Sequence, residues 1–387
     1  MTATGDRFRG PASHAGLAHL LLAVAIPVLV FSVPTLALEK PDVTYQVFQF
    51  PADKIPRVDG DPSDWAMVPE SYVVGKDQLV NDAKPPPAAG DKSLAVRVKV
   101  GWVKGLNRLY FLYEAEDDFW DFADPGLHND TLELMVDGDA SGGTFVSRND
   151  NRYWTAENIG AMAAPEARIS DRELKWAVHG VQAQNYHIMT PAVDKDWAMA
   201  WGAATWTKEL PWANSAQSFN FKHGEGGKYT LEFWITPFDY AGPEGPARAV
   251  ESVLRENKII GLSWIVMDYD GKTPRGFWML SPKRMALGNA SGLCAFRLMP
   301  LDPSIAPKLA AQWTWSVVDM DRRLVAFKDL SVGAITAWKW DFGDGTNSPE
   351  QHPQHVYAKP GNYVIILDVT GPDGTARRSK IWDVQLK

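Results

Sequence analysis

One cysteine in 387 residues leaves no partner for an intramolecular disulfide. Cys294 sits in Leu293-Cys-Ala-Phe-Arg-Leu298, an apolar setting that reads as a buried strand thiol. The absence of disulfides does not argue against export, because bacterial secreted proteins often lack them. No Cys-x-x-Cys-His occurs, which excludes thioether-linked haem. No Lys/Arg-rich run interrupts a mildly acidic balance, with net charge −8 and pI about 5.5, so nucleic acid is not an expected partner. There is no Gly-x-Ser-x-Gly elbow and no phosphate loop. His179, His187 and His223 are scattered, without His-x-x-x-His or Glu-x-x-His ligand spacing. Beyond residue 33 no apolar run is long enough to span a bilayer.

What is present in excess is tryptophan, 17 residues of it. In β-rich chains such rings usually pack, but this surplus also suits a protein that lays rings on sugars. The N-terminus carries the second signal. Arg7 and Arg9 precede an apolar run over about residues 17–33, and Pro34-Thr-Leu-Ala37 supplies small residues at the −3 and −1 positions. That pattern predicts a signal peptide over residues 1–37 with cleavage after Ala37. An uncleaved anchor is the alternative, disfavoured by Pro27 and Pro34. No cysteine follows the run, so a lipoprotein anchor is excluded. The expected location is secreted, periplasmic or cell-surface.

Residues 38–301 read as one large β-rich domain. Candidate strands are 94–102, 108–114, 131–136, 228–236, 259–266 and 293–298, each alternating or rich in β-branched and aromatic residues. Residues 247–257 form the one plausible helix, and 84–90 a Pro-rich loop. Residues 302–312 are a Pro-punctuated linker. Beyond it, Trp338-Lys-Trp-Asp-Phe-Gly-Asp-Gly-Thr-Asn-Ser-Pro349 places two alternating tryptophans ahead of a tight Asp/Gly turn. His355-Val-Tyr-Ala-Lys-Pro-Gly-Asn-Tyr-Val364 adds a second turn and strand. This order resembles the PKD domain over roughly residues 304–387, with the module itself at 313–387. The resemblance implies an immunoglobulin-like β-sandwich and treats His352 and His355 as structural.

The larger domain resembles the family 9 carbohydrate-binding module. Val58-Asp-Gly-Asp-Pro-Ser-Asp-Trp65, Asn107-Arg-Leu-Tyr-Phe-Leu-Tyr-Glu-Ala-Glu-Asp117, Asn129-Asp-Thr-Leu-Glu-Leu-Met-Val-Asp-Gly-Asp139, Tyr229-Thr-Leu-Glu-Phe-Trp-Ile235 and Ile260-Gly-Leu…Asp268 follow that family's elements in order. A family-atypical insertion covers about residues 165–227. The resemblance implies an all-β, jelly-roll-like antiparallel sandwich. Asp130, Glu133, Asp137 and Asp139 form the densest carboxylate cluster, and converging hard oxygens suit a structural Ca²⁺. The alternative is a solvated Asp/Gly turn. The family's known calcium points the same way as the ion. Glu133 and Glu232 are the only glycosidase-like pair, and the family places both in its framework; no catalytic residue is expected.

The family's sugar clamp of two tryptophans is missing. Leu127 or His128 holds the first position, and the loop at 281–288 has no tryptophan. Trp120, Trp278 and Trp154 are the candidate substitutes, with packing beneath loops as the alternative for each. Trp197, Trp201, Trp206 and Trp212 in the insertion suggest a lid or a subunit contact. The expected function is non-catalytic binding of a polysaccharide or glycan, with the PKD module as spacer or second contact. The rival is a structural or adhesive envelope protein that contacts other envelope proteins and has lost sugar binding. A haem- or electron-handling relative is a third, remote reading.

Overall fold

The computed structural model describes residues 40, 42–84, 92–122, 129–143, 181–192, 198–202, 205–242, 245–271, 273–282 and 288–384. The signal segment and Trp154 therefore lie outside the described residues, as do Leu127, His128 and Trp197. No described helix is long and apolar enough to cross a membrane. The chain is all-β.

The first domain contains β1 (Thr44–Phe50), β2 (Val74–Gly75), β3 (Val80–Asn81), β4 (Ala95–Val103), β5 (Leu109–Asp117), β6 (Thr131–Asp137), β7 (Gln184–Met189) and β8 (Ala198–Gly202). It continues with β9 (Ala213–Ser218), β10 (Gly227–Ile235), β11 (Phe238–Tyr240), β12 (Val250–Glu251), β13 (Ile259–Asp270), β14 (Thr273–Met279) and β15 (Cys294–Leu298). Along one path the strands run β8-β7-β6-β13-β15-β1-β4-β5-β10-β9. β1 joins the two layers: Thr44 to Val47 pair in parallel with β15, and Phe48 to Phe50 pair in parallel with β4. The other pairings along the path are antiparallel.

Period-2 patterning sets the layers. Val96, Val98, Val100 and Trp102 of β4 face Leu132, Leu134 and Val136 of β6 across one buried core. Met135, Ile265, Met267 and Met279 form a second cluster on the opposite face of β6 and β13. Phe48, Phe50, Trp65, Tyr110 and Trp234 form a third, against the outer face of the other sheet. Glu232 fastens that third cluster. Its Oε2 accepts from Gly60 N at 2.8 Å and its Oε1 from Trp65 Nε1 at 2.9 Å, across 172 and 167 residues of sequence.

Two expectations change. Residues 247–257 are not a helix: Pro246–Arg248 is a 3₁₀ turn, and Val250–Glu251 pairs with Phe238–Tyr240. Ser252 N bonds to Pro237 O and the Ser252 hydroxyl to Asp239, committing this backbone to an extended path. The stretch at about 165–227 supplies β7, β8 and β9, all on the main sheet path. Trp206 and Trp212 pack internally on Phe238 at 5.2 and 5.6 Å, with Trp206 Nε1 bonded to Gly242 O. They do not form an exposed lid.

The second domain contains β16 (Trp313–Asp319), β17 (Leu324–Asp329), β18 (Ala337–Asp341), β19 (Asn347–Ser348), β20 (Gln354–Val356), β21 (Gly361–Gly371) and β22 (Gly374–Val384). A β16-β17-β20 sheet faces a β19-β18-β21-β22 sheet over Trp313, Phe327, Trp340, Tyr357 and Leu367. In the Asp/Gly turn, Asp341 accepts from Gly343 N and Asp344 from Thr346 N. Gly343 has φ 78°, and a Cβ there would lie 2.7 Å from Val364 O, so only glycine fits. His355 stacks on Phe342 at 4.2 Å and holds Asp344 at 2.7 Å, while His352 Nδ1 accepts from Asp329 N. These residues build turns.

Candidate calcium centre and aromatic rim

The carboxylates named from the sequence do not meet at one point. Asp130 precedes β6 and Asp137 ends it; a seven-residue strand at about 3.3 Å per residue holds them roughly 20 Å apart. Glu133 lies between them on the outward face, where its Oε1 accepts from Asn185 Nδ2 at 2.7 Å and lies 3.1 Å from His187 Nε2. Burial pushes the Glu133 carboxyl up to about 7, against the Asn185 hydrogen bond. One ion cannot be held by Asp130, Glu133, Asp137 and Asp139 together, because the extended strand between Asp130 and Asp137 keeps its two ends apart.

At the Asp137 end the acids answer one another and their own turn. Asp137 Oδ2 accepts from Gly142 N and Asp139 Oδ1 from Ser141 N. Burial, then Asp139, raises Asp137 to about 7. Burial also works to raise Asp139, but hydrogen bonds involving Asp137 and Ser141 outweigh it and its pKa falls. Lys258 lies within the field of Asp239, Asp139 and Asp137, and so brings positive charge to this end.

Asp130 instead joins Asp117 and Asp268. One carboxylate oxygen of each lies within 4.8 Å of the other two, and all three side chains are buried. β5 ends at Asp117, Asp130 enters β6, and Asp268 sits where the β13–β14 register shifts. Asp130 Oδ1 accepts from Tyr269 N and Oδ2 from Asp121 N, both at 2.8 Å. Asp117 Oδ1 accepts from Asp118 N, and its Oδ2 is buried with no hydrogen-bond partner. Burial, then Asp268, lifts Asp117 to about 8. Burial also drives Asp130 well above the ordinary carboxylate range, against those two backbone N–H groups. Three mutually repelling buried carboxylates with an orphaned oxygen fit a hard cation. Oxygens at 2.3–2.6 Å from Ca²⁺ stand at most about 5 Å apart, as these do. Bound calcium would offset two of the three charges and tie three strands together; further oxygens would complete its six to eight.

Above this centre the loop after Asp117 is tightly held. Trp120 N donates to Glu225 O, Gly224 N to Trp120 O, and Asp130 N to Asp121 O. Trp120 is 1 % exposed, stacks on Phe221 at 5.0 Å and 5°, and donates Nε1 to Gly227 O. It is core and cannot be a sugar platform. Trp278 packs against the main core, and Lys76 Nζ covers its ring at 4.3 Å while bonded to Leu94 O at 2.7 Å. One face of that ring is already occupied by a cation. The rings that do reach the surface here are Phe119 and Phe122, half-buried, with the exposed His223 edge-on to them at 6.0 and 5.5 Å. His223 Nδ1 accepts from Phe122 N at 3.3 Å and lies 3.6 Å from Asp121. The sequence reading missed Asp117, Asp268 and this rim. Its signal was available, since Asp117 and Asp268 each close a motif element after an apolar strand.

Residues 310–386 match the family model of the PKD domain. Over 48 residues the chain is 42% identical to collagenase ColQ1 of Bacillus cereus, spanning 12% of this chain and 5% of that protein. The PKD1 domain of the Vibrio cholerae metalloprotease PrtV is similar at 26% identity and TM-score 0.19, over 20% of this chain and 99% of that one. A family 9 carbohydrate-binding module from Caldicellulosiruptor kristjanssonii, solved with cellotriose, is similar at 12% identity and TM-score 0.39, over 68% of this chain and 98% of that one. Residues 310–386 therefore form a PKD domain.

Glu133 and Glu232 do not form a hydrolytic pair. Inward-facing Leu134 and Leu231 place their neighbours Glu133 and Glu232 on opposite outer faces of the sandwich.

Proposed function

We propose that this is an exported, non-catalytic carbohydrate-binding protein. Its first domain is a calcium-stabilised glycan-binding module, and its PKD domain is a spacer or second contact. The observation that carries the reading is the meeting of Asp117, Asp130 and Asp268. Each comes from a different element of the family 9 pattern, and together they anchor the loop that presents Phe119 and Phe122, against which His223 packs. Half-buried rings on a rigid loop suit the apolar face of a sugar, at about 0.5–1.5 kcal/mol per ring by analogy with aromatic pairs. Neutral glycan is favoured over nucleic acid by the acidic balance of the chain.

The test is a glycan array together with pull-down on insoluble polysaccharides, using residues 38–387 in calcium and in chelator. Calcium-dependent retention on at least one glycan is expected; no retention on any would sink the reading. Intact-mass analysis from the native host tests export, and retention of residues 1–37 in a membrane fraction would overturn cleavage after Ala37. One observation favours the adhesive-protein alternative: both candidate tryptophans within the described residues, Trp120 and Trp278, are engaged elsewhere.

A further inference from the structure

A chamber of about 160 Å³ opens where β9 ends its sheet, lined among others by Met189, Ala192, Ser215, Gln217, Tyr229 and Leu231. Its floor of Met189, Tyr229 and Leu231 is buried, whereas Ser215 and Gln217 at the mouth are half-buried. We infer that this chamber is the seat for one neutral sugar ring, an inference that rests on the glycan-binding reading and gives it a place.

Size limits the occupant. Drug-sized ligands occupy about 300–1,000 Å³, whereas a cavity of about 150 Å³ holds a single benzene ring. One ring enters, and the rest of a chain must remain outside. Chemistry limits it further. A dry apolar cavity takes an apolar guest, but this one carries a hydroxyl, an amide and a phenol together with the apolar Met189 and Leu231. That mixture suits a pyranose, with hydroxyls around its edge and C–H groups on its faces. Among the described residues no charged side chain lines the chamber, so uronates and phosphorylated sugars find no ion pair there and would lose hydration.

The polar wall is already positioned. Gln217 Oε1 accepts from Tyr229 Oη at 2.9 Å and from Ala192 N at 3.2 Å, and Gln217 Nε2 donates to Ala192 O at 3.4 Å. This fixes the amide while leaving its second N–H and the phenol's lone pairs for a ligand. β9 has no described strand beyond it. The opposite wall is tied to the calcium centre, since Thr190 N donates to Asp130 O at 3.1 Å. Tyr229 also lies 5.4 Å from Trp120, beneath the aromatic rim.

The test uses residues 38–387 in calcium with methyl glucoside, methyl xyloside, methyl galactoside and glucuronate, read by saturation-transfer NMR and by backbone amide shifts. At least one neutral glycoside should bind, moving the amides of 189–192 and 213–218, and glucuronate should not. Ser215→Leu, which fills the chamber, should abolish this binding. Ser215→Ala, which keeps the space and removes one hydrogen bond, should weaken it about three- to ten-fold. Met189→Phe fills the chamber from the other wall if Ser215→Leu does not fold, and the amide shifts of the parent need no variant. If the array finds a glycan whose binding survives Ser215→Leu or Met189→Phe, or moves only amides elsewhere, the chamber is not the seat while the glycan reading stands. If no glycan binds the parent, both fail.

Discussion

The two ends of β6 look alike in sequence and differ in kind. The Asp137 end holds the denser acid pair, Asp137-Gly-Asp139; one oxygen of each is met by the turn's own N–H groups, both lie in the field of Lys258, and Asp137 Oδ1 is left buried without a hydrogen bond. The Asp130 end shows one acid, and the fold brings it Asp117 and Asp268 from two other strands. Local density of carboxylates marks a turn, whereas convergence from distant strands marks a centre. A five-residue turn brings two acids together by sequence alone; only the whole sandwich can bring three aspartates from separate strands together.

The strongest way to probe the Asp130 end is through its roof. Trp120→Ala should cost about 3–5 kcal/mol in denaturant unfolding, as expected for a buried large side chain. A loss below about 1 kcal/mol would return Trp120 to the list of sugar platforms. Calcium comes next. If the dissociation constant is about 1 μM, 1 mM calcium should stabilise by about 4 kcal/mol relative to chelator, raising Tm by several degrees. Asp268→Asn should abolish that rise and Asp139→Asn should leave it intact. The opposite pattern would move the ion to the turn.

A smaller effect separates the two ends by pH. Asp137 is buried and its folded pKa, about 7, exceeds the ordinary unfolded value near 3.9. The folded state therefore holds that proton more tightly. Its contribution is fully present below about pH 4 and is lost as pH rises through about 7. Asp137→Asn keeps an acceptor for Gly142 N and should remove on the order of 2–4 kcal/mol of this pH dependence between pH 4 and 8. An unchanged slope would mean that Asp137 is already charged in the fold. The smallest change is expected at His223→Ala, within about 0.5 kcal/mol of parent stability because the ring is exposed. Retention on any bound glycan should nonetheless fall; equal retention would remove the rim from the binding surface.

Much of the framework was legible. Strands read at 131–136, 259–266 and 293–298 appear as Thr131–Asp137, Ile259–Asp270 and Cys294–Leu298, because their apolar residues alternate or run continuously as buried strands do. β9 was hidden, since Ala213-Asn-Ser-Ala-Gln-Ser218 is polar and terminal in its sheet, and nothing in its pattern asks for burial. Residues 247–257 misled for the opposite reason. Their spacing suits a helix, but Val250 and Val253 are exposed, and contacts to Pro237 and Asp239 override local preference. The aspartate cluster was legible only in parts: each aspartate is visible in a motif, and their meeting is a property of the sheet order. The role of Trp120 turned on Phe221 and Gly227 O, partners that lie about a hundred residues away and that no local pattern announces.

The place of β1 sets the order in which this domain can be completed during synthesis. Its first half pairs in parallel with β15, the last strand of the domain, and its second half with β4. Residues made first must therefore wait, unpaired on one side, until residue 298 has emerged. Non-local pairings of this kind slow folding and delay cooperative closure. A chain stopped short of β15 would leave Tyr45 without Phe296 and Val47 without Leu298, so nascent intermediates should be protease-sensitive until the final strand arrives.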